Sequence, residues 1–139
     1  MNISARPRVV IAEDEAIIRL DLKELLEEEN YEVVGETGRG DEAVDLVREL
    51  VPDLVILDVK MPGLDGLSAA RQIASERLAA ILILTAFSQR ELVEQARDAG
   101  ALAYLVKPFN KSDLVPAIEV ALARHSELTS LERHVEDLE

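Results

Sequence analysis

The chain has 139 residues, 48% of them hydrophobic, enough for one domain with a proper core and too few for two of ordinary size. No apolar run approaches the roughly 20 residues that span a bilayer, the N-terminus MNISARPRVVIAEDE carries no secretory pattern, and the lack of cysteine excludes disulfides and thiolate chemistry. With 15 basic against 28 acidic side chains, a net charge of −13, neither nucleic acid nor membrane is an expected partner of this chain alone, and the whole suits a cytoplasmic protein.

The first apolar run, Val9 to Ala12, predicts a strand and ends in Glu13 and Asp14. Ile17, Ile18, Leu22, Leu25 and Leu26 follow at helical spacing. Tyr31 to Val34 predicts the second strand, and Ala43, Val44, Leu46, Val47 and Leu50 the helix after it. Leu54 to Leu57 is a third run, with Asp58 directly after it and the breakers Pro62 and Gly63 beyond. A short apolar run of this kind reads as a strand covered on both faces. Ile81 to Leu84 predicts the fourth strand, closed by Thr85. Ala103 to Val106 predicts the fifth, closed by Lys107 and Pro108, a pair in which a cis bond would fix where the ammonium points. Pro52, Gly63, Gly66 and Gly100 punctuate the connections. Strands alternating with helices imply an α/β fold of five β/α repeats, with a parallel sheet and helices on both faces.

Ser112 is expected to cap a last helix starting at Asp113, with Pro116 in its first turn. Nothing breaks that helix before Glu139, so it would run 27 residues, about 40 Å at ~1.5 Å per residue. Leu128, Leu131, Val135 and Leu138 form an apolar stripe that stops mid-pattern, which points to a piece of a longer protein. A projecting stripe calls for a partner, either a second copy in a coiled coil or a connection to another domain; a solvated amphipathic end is the plainer reading. The chain thus divides into a globular unit over 1–125 and a helical extension over 126–139. His125 and His134 are not at metal-pair spacing and read as solvated.

In a parallel sheet every strand points the same way, so Glu13, Asp14, Asp58, Thr85 and Lys107 converge on one rim, where open α/β sheets bind their ligands. Each alone has a bland reading, as a helix-terminal charge, a turn residue or a surface cation. Together they are harder to dismiss, because three neighbouring carboxylates repel unless a cation neutralises them. Their oxygens suit Mg²⁺. A metal beside a carboxylate, a hydroxyl and a lysine is the donor set of phosphoryl transfer, with Asp58 as the nucleophile that becomes an aspartyl phosphate.

The stretches VVIAEDE, PDLVILDVKMPGLDG, LTAF and AYLVKPF resemble the receiver domain of bacterial two-component response regulators, over roughly residues 8 to 125. The resemblance implies a flavodoxin-like (βα)5 fold, a doubly wound five-stranded parallel sheet, here with an extended C-terminal helix. It implies that Asp58 accepts a phosphoryl group from a sensor histidine kinase, and that Glu13, Asp14, Asp58 and the backbone carbonyl of Lys60 hold Mg²⁺. Lys107 would pair with the phosphate. Thr85 and Tyr104 would be the switch pair that repacks the face of the fourth helix, fifth strand and last helix. A homodimer through that face or through the C-terminal helix fits the same picture. Lys60 and Phe87 stand where the family tunes phosphate lifetime. Such a protein is no enzyme towards external substrates; at most it loses its own phosphate slowly. Within the family, LTAFSQRELVEQARDAGALAYLVKPF and the long last helix resemble the antiterminator (ANTAR-type) response regulators, whose RNA-binding domain lies outside these residues. A DNA-binding output, or none, fits the same receiver.

Rival readings are weaker. Gly38, Gly40 and Ala43 match a dinucleotide fingerprint, but Glu36, Asp41 and Glu42 would crowd a pyrophosphate. An aspartyl-phosphate hydrolase resembles D-x-D at its nucleophile, and Lys60 occupies the second position. An FMN binder would need a hydroxyl-rich loop where the first strand here ends in acid. A phosphorylation-independent interaction module of the same fold is the alternative that phosphate uptake separates.

Overall fold

The computed structural model describes residues 6–86 and 90–138, with side chains to Leu131. The elements alternate without exception: β1 Arg8–Ala12, α1 Ala16–Glu28, β2 Glu32–Thr37, α2 Gly40–Leu50, β3 Leu54–Asp58, α3 Gly66–Ser75, β4 Ala80–Thr85, α4 Arg90–Asp98, β5 Ala103–Val106 and α5 Lys111–Leu138. All strand pairs are parallel, in the order β2-β1-β3-β4-β5. This is the flavodoxin-like α/β fold. The order reverses between β1 and β3, so the connections leaving these two strands pass to opposite faces and a crevice opens at their carboxyl ends.

The apolar runs are continuous because both faces of the sheet are covered. Val10, Ala12, Val55, Leu57, Ile81 and Ile83 pack on one side with residues of α2 and α3. Val9, Ile11, Leu54, Ile56, Leu82 and Leu84 pack on the other with α1 and α5. Every residue of β3, Asp58 included, is buried.

Two elements depart from the sequence expectation. β2 begins at Glu32 and runs on to Thr37, while Tyr31 lies outside the strand with its side chain buried beside α1. As an edge strand β2 is only half covered, so polar Glu36 and the small Gly35 are accommodated and the apolar pattern stops before the strand does. Its register against β1 slips between Val9 and Val10, passing over Val34.

The last helix starts earlier than expected, and Ser112 is not its cap. Asn110 Oδ1 accepts the Asp113 N–H at 3.1 Å and the Ser112 hydroxyl at 2.5 Å, and Asp113 Oδ2 accepts the Asn110 N–H at 3.2 Å. This reciprocal arrangement is a capping box. Pro116 consequently stands in the second turn and not the first. It denies the Ser112 carbonyl a helical donor at an exposed position where water can serve instead.

α5 extends unbroken to Leu138 and packs on β4 and β5. His125 is half-buried and lines a small cavity with Arg77, Gly100 and Leu128, so the solvated reading fails there. Leu128 and Leu131 of the stripe stay exposed. The side chains of His134, Val135 and Leu138 lie outside the described residues, as does Phe87. None of the described helices is long and apolar enough to cross a membrane.

Candidate functional site

β1 hands its ladder to the first acidic residue: the Glu13 N–H donates to the Thr37 carbonyl at 3.0 Å, which fixes the backbone where the strand ends. The Glu13 side chain is wholly buried, and Asp14 is exposed. Asp58 ends β3 and is itself buried, because β4 continues past it on one side and the β3–α3 connection folds back over it. In that connection the Gly66 N–H donates to the Val59 carbonyl at 2.8 Å. A Cβ on Gly66 would stand 1.9 Å from the Asp58 carbonyl oxygen, so only glycine permits the approach. Asp65 then caps α3 through the Ser68 N–H at 2.9 Å.

Glu13, Asp14 and Asp58 each present a carboxylate oxygen within 4.8 Å of the others. Lys107 enters from the end of β5, its N–H bonded to the Thr85 carbonyl at 2.7 Å and its peptide bond to Pro108 cis. Its Nζ lies 2.7 Å from Glu13 Oε2 and 3.1 Å from Asp58 Oδ2. The shorter contact is an ion pair with an oxygen that is itself buried. The Lys60 N–H reaches Asp58 Oδ1 at a long 3.4 Å. Thr85 is buried at the end of β4, and the half-buried Tyr104 of β5 hydrogen-bonds to it. All the residues expected at the rim are therefore gathered there.

Asp14, Glu15, Asp58, Lys60, Thr85, Ala86 and Lys107 line a cleft of about 310 Å³. A larger cavity of about 670 Å³ lies between α1 and the β5–α5 connection, and of the residues lining the cleft it takes in Ala86 and Lys107 but none of the carboxylates and not Thr85. The chemistry belongs to the smaller cleft.

Burial pushes the Glu13 carboxyl up to about 7, with the Asp58 charge adding to the rise and Lys107 and the Glu15 N–H opposing it. Burial opposes the charge on Lys107, yet its bonds to Glu13 and Asp58 outweigh that and hold it above its ordinary value. Burial likewise raises Tyr104, against the bond from Thr85. One ammonium thus faces three carboxylates. The excess negative charge and the purely oxygen donor set fit a hard divalent cation such as Mg²⁺.

Sequence reasoning missed Arg19, whose Nη1 donates to the Glu13 carbonyl at 2.6 Å. A helix-surface arginine carries no pattern that would single it out. Gly66 was legible only as a turn residue, since its contact with Asp58 is made by backbone. The glycines of the dinucleotide-like stretch do other work: Gly40 donates its N–H to the Pro62 carbonyl at 3.2 Å, and Gly38 packs beside Asp14.

Residues 9–119 match the family model described as response regulator receiver domain. Over 131 residues the chain is 65% identical to Transcriptional regulatory protein PdtaR of Mycobacterium tuberculosis, covering 94% of this chain and 64% of that protein, so it spans less than two thirds of that relative. It is 39% identical to Chemotaxis protein CheY of Thermotoga maritima, over 80% of this chain and 93% of that one. Among solved structures, the signal receiver domain of the putative response regulator NarL from Mycobacterium tuberculosis superposes with a TM-score of 0.81 at 30% identity, covering 85% and 97% of the two chains. The receiver domain of sensor histidine kinase PA1611 from Pseudomonas aeruginosa, solved with a magnesium ion coordinated in the active site cleft, gives 0.76 at 27% identity, with 86% and 99% covered. By its sequence, its strand order and the cluster at its strand ends, the chain belongs to the response regulator receiver domain family, whose members are regulatory.

Proposed function

We propose that this chain is a phosphoacceptor in a cytoplasmic two-component phosphorelay, taking a phosphoryl group from a sensor histidine kinase onto Asp58. The observation that carries the reading is the joint contact of Lys107 with Glu13 and Asp58, at 2.7 and 3.1 Å, beside Asp14 and Thr85. In the transfer an Asp58 carboxylate oxygen forms a bond to phosphorus as the bond from phosphorus to the donor's histidine nitrogen breaks. Glu13, Asp14, Asp58 and the Lys60 carbonyl would hold Mg²⁺, a role supported by the magnesium reported for PA1611. The ion would supply positive charge to the phosphoryl oxygens.

Lys107 gives its ammonium to the phosphate once that group replaces a bare carboxylate as its strongest anion. The Thr85 hydroxyl turns from Tyr104 to the same phosphate, the Tyr104 ring fills the space left, and the face of α4, β5 and α5 repacks. The chain turns over no external substrate. Residues 1–125 form the receiver, and 126–139 either pair with a second copy or lead into an output domain. Its likeness to a transcriptional regulatory protein and to the antiterminator type supports an RNA-binding output in a longer protein.

The test is incubation of the chain with acetyl phosphate and Mg²⁺, followed by intact mass. Wild type gains one hydroxylamine-labile phosphoryl group, and Asp58→Asn gains none. A wild type that never gains the group, or a variant that retains it, overturns the assignment.

A further inference from the structure

We infer that Arg19 is a positioning residue of the metal site, holding the backbone that carries Glu13 and Asp14 in the geometry the cation needs. The inference rests on the magnesium reading above and adds a residue to it. Glu13 leaves β1 with its N–H bonded to Thr37, but its carbonyl has passed the end of the sheet ladder. Arg19, in the first turn of α1, reaches back and donates Nη1 to that carbonyl at 2.6 Å. The guanidinium is itself held: its Nε lies 3.5 Å from Glu36 Oε1, and Glu36 is also paired with Lys23 at 3.4 Å.

The space for this brace is built into the opposite loop. A Cβ on Gly38 would come within 3.2 Å of Arg19 Nη1 and 3.4 Å of the Asp14 Cα. Glu15 at the N-cap of α1 makes no side-chain capping bond, so this turn is held by Arg19 and by the Glu13 side chain. Glu13 Oε1 accepts the Glu15 N–H at 3.1 Å, so movement of this turn moves a metal-site carboxylate directly. The ion pair of Arg19 is with Glu36 and not with Glu13, Asp14 or Asp58; it acts through the backbone carbonyl of Glu13.

Charge and position make opposite demands, which decides the test. Deleting a cation beside three carboxylates should tighten Mg²⁺ binding, by a factor of about two for a screened, partly exposed charge. Losing a brace should loosen it, by up to about tenfold if most of one charge-assisted hydrogen bond is felt at the metal.

Mg²⁺ is titrated calorimetrically into the 139-residue chain and into Arg19→Met, Arg19→Lys and Lys23→Met, each checked for native circular dichroism at the working temperature. Arg19→Met loses both the brace and the charge, so it is expected to weaken Mg²⁺ binding by up to about fivefold, about 1 kcal/mol, as every tenfold in Kd corresponds to about 1.4 kcal/mol. Arg19→Lys keeps the charge but not the forked reach, and weakens it two- to threefold. Lys23→Met removes an equal charge from Glu36 without touching Glu13, and leaves binding unchanged or tighter. Equal or tighter binding in Arg19→Met overturns the inference, as does an equal loss in Lys23→Met. If Arg19→Met does not fold, Arg19→Lys decides by the same criterion. A wild type that binds no Mg²⁺ sinks the metal reading itself, a result distinct from either.

Discussion

Lys107 and Asp58, 49 residues apart in sequence, meet at 3.1 Å across the rim of the sheet, and the same ammonium sits 2.7 Å from Glu13. One cation therefore offsets two buried carboxylates. Removing it by Lys107→Met leaves both without a counter-charge, which should lower stability by roughly 1–3 kcal/mol in metal-free buffer. Because Mg²⁺ would then face less competing charge, the variant is expected to gain more stability from the ion than wild type does. Urea unfolding with and without Mg²⁺ reads both effects; a variant as stable as wild type without metal contradicts the bridging role.

Glu13 should leave its mark on pH dependence. Its carboxyl titrates near 4.5 when unfolded and about 7 in the fold, raised chiefly by burial. Between those values the folded chain binds more protons than the unfolded one, so stability is highest at the acid end and declines as pH rises towards 7. Glu13's share of that decline is at most about 3 kcal/mol. Lys107, held above its ordinary value, stays charged throughout this window. Thermal melts of the metal-free protein between pH 5 and 7.5 should fall more steeply for wild type than for Glu13→Gln. Parallel slopes would show that the carboxyl ionises normally.

Gly66 makes a steric prediction. Gly66→Ala would press a Cβ into the Asp58 carbonyl at 1.9 Å, which neither backbone can absorb without shifting. Overpacking of this kind costs about 1–3 kcal/mol, and here it also displaces the strand end that carries Asp58. Both the urea midpoint and the rate of phosphorylation by acetyl phosphate are expected to drop. Loss of stability alone, with an unchanged rate at low temperature, would separate Gly66 from the site.

What was legible in the sequence follows from how each residue is buried. β3 and β4 lie covered on both faces, so their runs are apolar throughout and the residues at their ends, Asp58 and Thr85, stand out. Parallel strands made the convergence of Glu13, Asp14 and Lys107 deducible without any contact information. β2 was read short because an edge strand tolerates Gly35 and Glu36. Asn110 and Ser112 are both good N-cap residues, and only the reciprocal bond with Asp113 distinguishes them. The half-burial of His125 depends on α5 passing the α3–β4 connection and Gly100, and Arg19's role depends on a backbone carbonyl; neither relationship has a local signature.

The Thr85 and Tyr104 pair separates acceptance of the phosphoryl group from response to it. Thr85 is buried and bonded to Tyr104, so Thr85→Val keeps the shape and removes the hydroxyl that would turn to the phosphate. Tyr104 is only half-buried and can bond to water instead, which limits the stability cost to about 1 kcal/mol. Asp58, Lys107 and the acidic residues are untouched, so the variant should still gain a phosphoryl group. The response should be lost. Of the described α4 residues only Ala96 is buried, so this helix is lightly held and its amides should report repacking sensitively. Hydrogen exchange across α4 and β5 should change on beryllofluoride and Mg²⁺ treatment of wild type and stay nearly constant in Thr85→Val. An unaltered response in the variant would show that the hydroxyl does not couple the phosphate to the face.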